Sequence, residues 1–174
     1  RSKGINNVNI AVMSDANTMY VSIYGTVGNS PFDGDTGSNF NANLALPVIN
    51  PAYDYQLTHA GWASVAFDNY GWLTEEMSRQ GGRNKRLIIT GHSQGGAVAG
   101  YFTYLLLKNS YLHKDLKHRL VLFGTPRFAG SSFRKKFFDY ITNSAPLMKA
   151  YDLEIEEDSL KTVWTDILSA TIAS

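Results

Sequence analysis

Ser93 is the residue around which this sequence is arranged to do chemistry. It stands in Gly91-His92-Ser93-Gln94-Gly95, behind the apolar run Leu87-Ile88-Ile89 and ahead of the small-residue run Ala97-Val98-Ala99-Gly100. A serine hydroxyl is a weak nucleophile, so it needs a base to take its proton and N–H donors to receive the oxyanion its attack creates. A sharp turn between a strand and a helix exposes the hydroxyl to both, and G-x-S-x-G in that context predicts a nucleophile elbow. Glycine is required at 91 and 95 because side chains two residues either side of the serine would meet the neighbouring strand and helix.

The elements that must hold this turn alternate along the chain. Residues 8–13 read as a strand and 14–17 as a turn. Residues 18–24 are a second strand that stops at Gly25-Thr26, placing a hydroxyl and a free N–H beyond the carboxyl edge of the sheet, where open α/β sheets bind ligands. Residues 27–50 are rich in Gly, Asn, Asp and Pro without a sustained period, which predicts a long lid or binding loop. Within it, Asp33-Gly34-Asp35-Thr36-Gly37-Ser38-Asn39 looks like a calcium loop, but Leu44 stands at the twelfth position, where a bidentate Glu is needed. No metal site is expected. A helix is expected from an N-cap at Thr58 through Trp62, Val65, Ala66, Asn69, Trp72, Leu73 and Met77 to Gly81-Gly82. After the elbow, Leu120-Val121-Leu122-Phe123 is a buried strand that stops at Gly124-Thr125-Pro126-Arg127. Ser131 caps a helix to about Ile141, broken at Asn143-Ser144-Ala145-Pro146. Residues 147–155 form another strand and 160–173 a weakly amphipathic helix. This alternation predicts an α/β fold, a mostly parallel sheet flanked by helices in three layers, over residues 1–174 as one domain.

Composition bounds the function. With 174 residues, 44% hydrophobic, the chain can bury one core. Sixteen Lys+Arg against fifteen Asp+Glu leave a net charge of +1, which gives no reason to expect a nucleic-acid partner. The basic clusters Lys114-Asp115-Leu116-Lys117-His118-Arg119 and Arg134-Lys135-Lys136 read as solvated faces. Without cysteine there is neither a disulfide framework nor a thiolate metal site. No apolar run is long enough for a transmembrane segment. The chain opens on Arg1, not Met, so a segment upstream is expected to have been removed or omitted.

At four places the residues resemble the class 3, or fungal lipase-like, lipases of the α/β-hydrolase fold. Tyr20-Val21-Ser22-Ile23-Tyr24-Gly25-Thr26 is similar to that family's strand ending in Arg-Gly-Thr, with Tyr24 in place of Arg. Asn39-Phe40-Asn41-Ala42-Asn43-Leu44 looks like its Asn-Trp-x-x-Asp-Leu lid segment, with Asn43 in place of Asp. His59-Ala60-Gly61-Trp62 resembles its His-x-Gly-Phe helix start, and Phe123-Gly124-Thr125-Pro126-Arg127 its Phe-Gly-x-Pro-Arg. The resemblance covers about 18–160 and implies hydrolysis of acyl esters of lipids, glycerolipid or phospholipid, with no cofactor. It implies a lipid or ester substrate, transient contact with a membrane surface, and a secreted or membrane-surface setting. Carried over by position, Ser93 is the nucleophile, and Thr26 and Gln94 line the oxyanion hole, Gln94 through its backbone N–H. The family has Leu more often than Gln after the serine.

The family's acid lies just past the strand that follows the Pro-Arg helix. That points to Asp158, with Asp152 as the alternative. Its base is a histidine after the acid, and no histidine follows Asp158 here. His59 matches a helix start, His92 sits in the elbow with its ring expected to point into the fold, and His113 and His118 lie on a connection far from the serine. The catalytic histidine is therefore expected beyond Ser174, or on a segment or partner outside this chain. A serine esterase is the first reading, and a lipase-like module that binds lipid or protein without turnover is the other.

Overall fold

A computed structural model describes residues 2–5, 8–24 and 47–153. Thr26, Asp158, residues 27–46 of the expected lid or binding loop 27–50 with its calcium-like stretch, and the expected helix 160–173 lie outside them. Six strands form one sheet: β1 (Ser2–Ile5), β2 (Val8–Ser14), β3 (Thr18–Ile23), β6 (Arg86–His92), β7 (Arg119–Phe123) and β8 (Lys149–Leu153), in the order β1-β2-β3-β6-β7-β8. β1, β2 and β3 pair antiparallel, while β3, β6, β7 and β8 run parallel. The β2–β3 turn is fixed by Asp15, whose carboxylate accepts the N–H groups of Asn17 and Thr18 at 2.8 Å each. A separate two-stranded ribbon pairs β4 (Pro47–Asn50) with β5 (Gln56–His59).

Among the described residues three α-helices serve the sheet: α1 (Ala60–Arg79), α2 (Gln94–Lys108) and α3 (Ser131–Ser144). From β3 onward each new parallel strand is added on the same side of the last. Parallel crossovers are right-handed, so this order puts all three helices on one face. The strands agree: Met19, Val21, Ile23, Leu87, Ile89, Leu120, Leu122 and Ala150 are buried on that face, whereas Tyr20, Phe123 and Leu153 on the other are exposed. The third layer expected from the sequence is not formed by the described residues. α2 lies against the sheet between its two neighbours, which is why every residue from Gln94 to Leu107 is buried and only Lys108 reaches solvent.

Four local expectations change. Residues 47–50, whose composition predicts loop, are a strand, because their hydrogen bonds go to 56–59, a pairing that composition does not reveal. Thr58 caps no helix: it belongs to β5 and its hydroxyl donates to the Val48 carbonyl, so the N-cap is His59. α3 starts at Ser131 after a Gly130 N-cap and runs three residues past Ile141 to Ser144, Pro146 falling just beyond its end. His92 is exposed rather than turned into the fold, since alternation along β6 puts Leu87, Ile89 and Gly91 toward the helices and Ile88, Thr90 and His92 on the open face.

Candidate active site

β6 delivers Ser93 to the carboxyl edge of the sheet, and α2 begins at the next residue. Ser93 holds φ 54° and ψ −126°, a conformation that ordinarily costs a non-glycine residue about 1–3 kcal/mol. Its surroundings leave no alternative. A Cβ on Gly91 would stand 2.2 Å from the Gly95 carbonyl oxygen, and one on Gly95 would stand 2.4 Å from that of Ile23 and 2.7 Å from that of Tyr24. The Ser93 N–H donates to the Phe123 carbonyl at 2.9 Å, fastening the turn to β7.

This geometry frees the hydroxyl. An N-cap serine usually gives its side-chain oxygen to the helix's first N–H groups from an extended backbone. Ser93 is the N-cap of α2 but makes no such bond, because its backbone is not extended. Its carbonyl accepts from Gly96 and Ala97 instead. Gln94, as the first helical residue, has an N–H with no intrahelical partner, at the positive end of the helix dipole. A hydroxyl on half-buried Ser93, beside an N–H without a partner among the described residues, is suited to attack on a carbonyl and capture of the resulting oxyanion.

The same edge holds further buried polar groups. The Gln94 side chain is 1% exposed, and neither its Nε2 nor the Oγ1 of buried Thr125 has a hydrogen-bond partner among the described residues. Thr125 packs on the start of α2, where a Cβ on Gly96 would meet its Oγ1 at 2.1 Å. Asp152 lies in one row with Leu122 and Gly91, two strands over and about 10 Å from Gly91 by the spacing of a sheet. It is buried toward the helix layer. Thr125 had no motif to mark it beyond its place between Gly124 and Pro126, because its contact with Gly96 is non-local.

The histidines sit elsewhere. His118 accepts the Leu87 N–H on Nδ1 at 2.9 Å and bonds the His113 carbonyl through Nε2 at 2.8 Å, which places it at the amino end of β6, opposite Ser93. Burial lowers its pKa. His59 accepts the Trp62 N–H on Nδ1 at 3.3 Å and stacks on the Trp62 ring at 3.7 Å. Burial pushes it down to about 4. Its own N–H is shared between the Phe128 carbonyl and the Tyr101 hydroxyl, which in turn donates to Phe128. Tyr101 thus ties α2 to the start of α1, a link invisible in sequence. His113 Nδ1 accepts the Asp115 N–H at 3.3 Å. His92 lines a cleft of about 280 Å³ with Ser22, Tyr24, Thr90 and Phe123 on the open face.

Thr26 follows Tyr24 by two residues, and the Tyr24 carbonyl is one of the groups packed on Gly95. The end of β3 therefore abuts the start of α2. Among the described residues no group of three His, Cys, Asp or Glu is placed to hold a metal ion, and no helix is long and apolar enough to cross a membrane.

Residues 21–153 match the family Lipase (class 3). No curated protein sequence matches the chain. Among solved structures, the Rhizomucor miehei lipase propeptide complex is similar at TM-score 0.70 and 19% identity, over 92% of this chain and 48% of that one. A fungal lipase–inhibitor complex aligns at 0.67 and 18%, over 92% and 58%. A triacylglycerol lipase whose catalytic centre is a serine protease triad aligns at 0.64 and 19%, over 87% and 56%. This chain spans about half the length of the lipases it matches, and at such identities the likeness is one of fold.

Proposed function

The chain belongs to the class 3 lipase family, and from that premise we propose that it is a serine ester hydrolase acting on the acyl esters of lipids, glycerolipid or phospholipid. The observation that carries this reading is the Ser93 backbone, held at positive φ with its hydroxyl not spent on capping α2. Ser93 Oγ attacks the acyl carbonyl carbon as its proton passes to a base. The Gln94 N–H receives the oxyanion together with Thr26, to which the adjoining end of β3 leads. Collapse expels the alcohol with that proton, and water then attacks the acyl-enzyme by the same route in reverse. Asp158 orients the base, which is a histidine outside the four of this chain. His59, His113 and His118 each have Nδ1 engaged by a backbone N–H, and His92 lies on the open face.

The same engagement of the histidines favours a second reading, a module that binds lipid or protein without turnover. Labelling by a fluorophosphonate separates the two. In the protein at its natural length, rapid labelling that disappears in Ser93→Ala supports the hydrolase, and the same substitution lowers ester turnover on the order of a million-fold. A folded protein that labels no faster than its Ser93→Ala variant is the binding module.

A further inference from the structure

α2 carries the Gln94 N–H in its first turn, so the aim of that donor is the aim of the helix. Capping does not fix it, because the Ser93 side chain makes no bond to the turn. The chain that leaves β7 packs along α2 instead. A Cβ on Gly96 would run into the Thr125 hydroxyl, and one on Gly100 would stand 2.5 Å from the Phe128 ring. Residues four apart lie one above the other on a helix, so the two glycines leave a groove that Thr125 and Phe128 fill.

Fit alone does not lock a groove, because apolar contact has no direction. Thr125 Oγ1 takes no hydrogen-bond partner among the described residues, so its hold on Gly96 is steric. The directional tie comes from Tyr101, the residue after Gly100. Its ring is fully buried and meets the Phe128 ring edge-on, with 5.0 Å between centroids. Its hydroxyl donates to the Phe128 carbonyl and accepts the His59 N–H at 2.8 Å. Burial pushes the pKa of this phenol up, so the hydroxyl keeps the proton it donates. No step of the ester chemistry touches it, since it lies about 12 Å along the helix from Ser93.

We propose that Tyr101 is a positioning residue for the ester hydrolysis: its hydroxyl locks residues 124–130 into the groove of α2 and so holds the Gln94 N–H where the oxyanion forms. The proposal rests on the ester-hydrolase reading and adds to it what keeps the donor in place. Such donors act at about 2.7–3.1 Å from the oxyanion. A displacement of about 1 Å, caused far from the chemistry, can cost on the order of a hundredfold in rate.

Tyr101→Phe in the protein at its natural length tests this. The ring stays and only the hydroxyl goes, while the His59 N–H keeps the Phe128 carbonyl at 3.0 Å, so no buried donor is orphaned. On a soluble short-chain ester, kcat should fall about tenfold, a part of what losing an oxyanion donor costs, with KM changed less than about twofold. Fluorophosphonate labelling of Ser93 should slow by the same factor. Tyr111→Phe is the control: it too strips a hydroxyl with two partners, Ser78 Oγ at 2.8 Å and the Thr74 carbonyl at 3.1 Å, but beyond the other end of α2. Parental kcat in a folded Tyr101→Phe, an effect confined to KM, or an equal fall in Tyr111→Phe overturns the proposal. If Tyr101→Phe does not fold, Gly100→Ala takes its place, because its methyl presses the Phe128 ring out of the groove and leaves the hydroxyl intact. Its kcat should fall likewise, and parental kcat there overturns the proposal as well. Hydrogen exchange separates the proposal from the reading beneath it. The Gly96 and Ala97 amides, both bonded to the Ser93 carbonyl, should exchange about tenfold faster in Tyr101→Phe relative to those of β3. Unchanged exchange overturns the lock. A parent that neither labels nor turns over ends the hydrolase reading, while the exchange result still decides whether Tyr101 holds the start of α2.

Discussion

The two ends of β6 are built on opposite terms. At its carboxyl end, Ser93 is held at positive φ, and the Nε2 of Gln94 and the hydroxyl of Thr125 are buried without partners among the described residues. At its amino end the backbone is tied down, although Arg86 Nε is buried without a partner among the described residues. β7 begins opposite Ile88, so the Leu87 N–H on that side has no strand partner, and the His118 ring supplies one. The start of α1 repeats the device, with His59 accepting the Trp62 N–H. What sets the two ends apart is the positive φ of Ser93, because buried polar atoms without partners among the described residues occur at both.

The sharpest break of this contrast is Gly95→Ala. Its methyl would stand 2.4 Å from the Ile23 carbonyl oxygen and 2.7 Å from that of Tyr24, both backbone, so no side chain can yield. We expect a loss of about 3 kcal/mol or more, toward the upper end of overpacking costs, together with loss of Ser93 labelling. Chemical denaturation reads it. A variant as stable as the parent would mean that the elbow has room to relax and is not strained by its neighbours.

Ser93, Gly91 and Gly95 were legible in sequence because the elbow's constraints are local: two glycines, a serine, a strand before and a helix after. The alternation of strands and helices likewise placed β2, β3, β6, β7 and β8 to within a few residues. What stayed hidden was held by distant partners. Residues 47–50 have the composition of a loop and become a strand only through 56–59. The position of His92 in the elbow predicts an inward ring, and only the period of β6 shows that it faces out. The roles of His118 and Tyr101 depend on contacts 31 and 42 residues away, to Leu87 and His59, which no window of sequence contains.

At the amino end, His118→Phe keeps the volume of the ring but removes the acceptor of the Leu87 N–H. A buried N–H left unpaired costs about 1–3 kcal/mol, and that is the expected loss, smaller than at Gly95. Hydrogen exchange sharpens the result: the Leu87 amide should lose protection while amides at the elbow keep theirs relative to global stability. Uniform loss across β6 would show that His118 acts only by packing.

The smallest effect belongs to His59, and pH isolates it. The ring accepts the Trp62 N–H only while Nδ1 is unprotonated, and burial holds its folded pKa down at about 4 against about 6.5 in an unfolded chain. Between these values the unfolded state binds the proton and the folded state does not, so stability is full above pH 6.5 and falls as pH drops toward 4. Below 4 both states are protonated and the loss levels off. His118, also depressed by burial, and the carboxylates add their own acid losses, so the quantity to follow is the difference between the parent and His59→Asn. Asparagine keeps an N-cap acceptor but does not titrate. At pH 7 the variant should be equal or slightly less stable, having lost the stacking on Trp62. At pH 4.5 its melting temperature should have gained on the parent. A difference that stays constant between the two pH values would place the proton elsewhere, and would leave His59 as a cap whose charge state the fold does not feel.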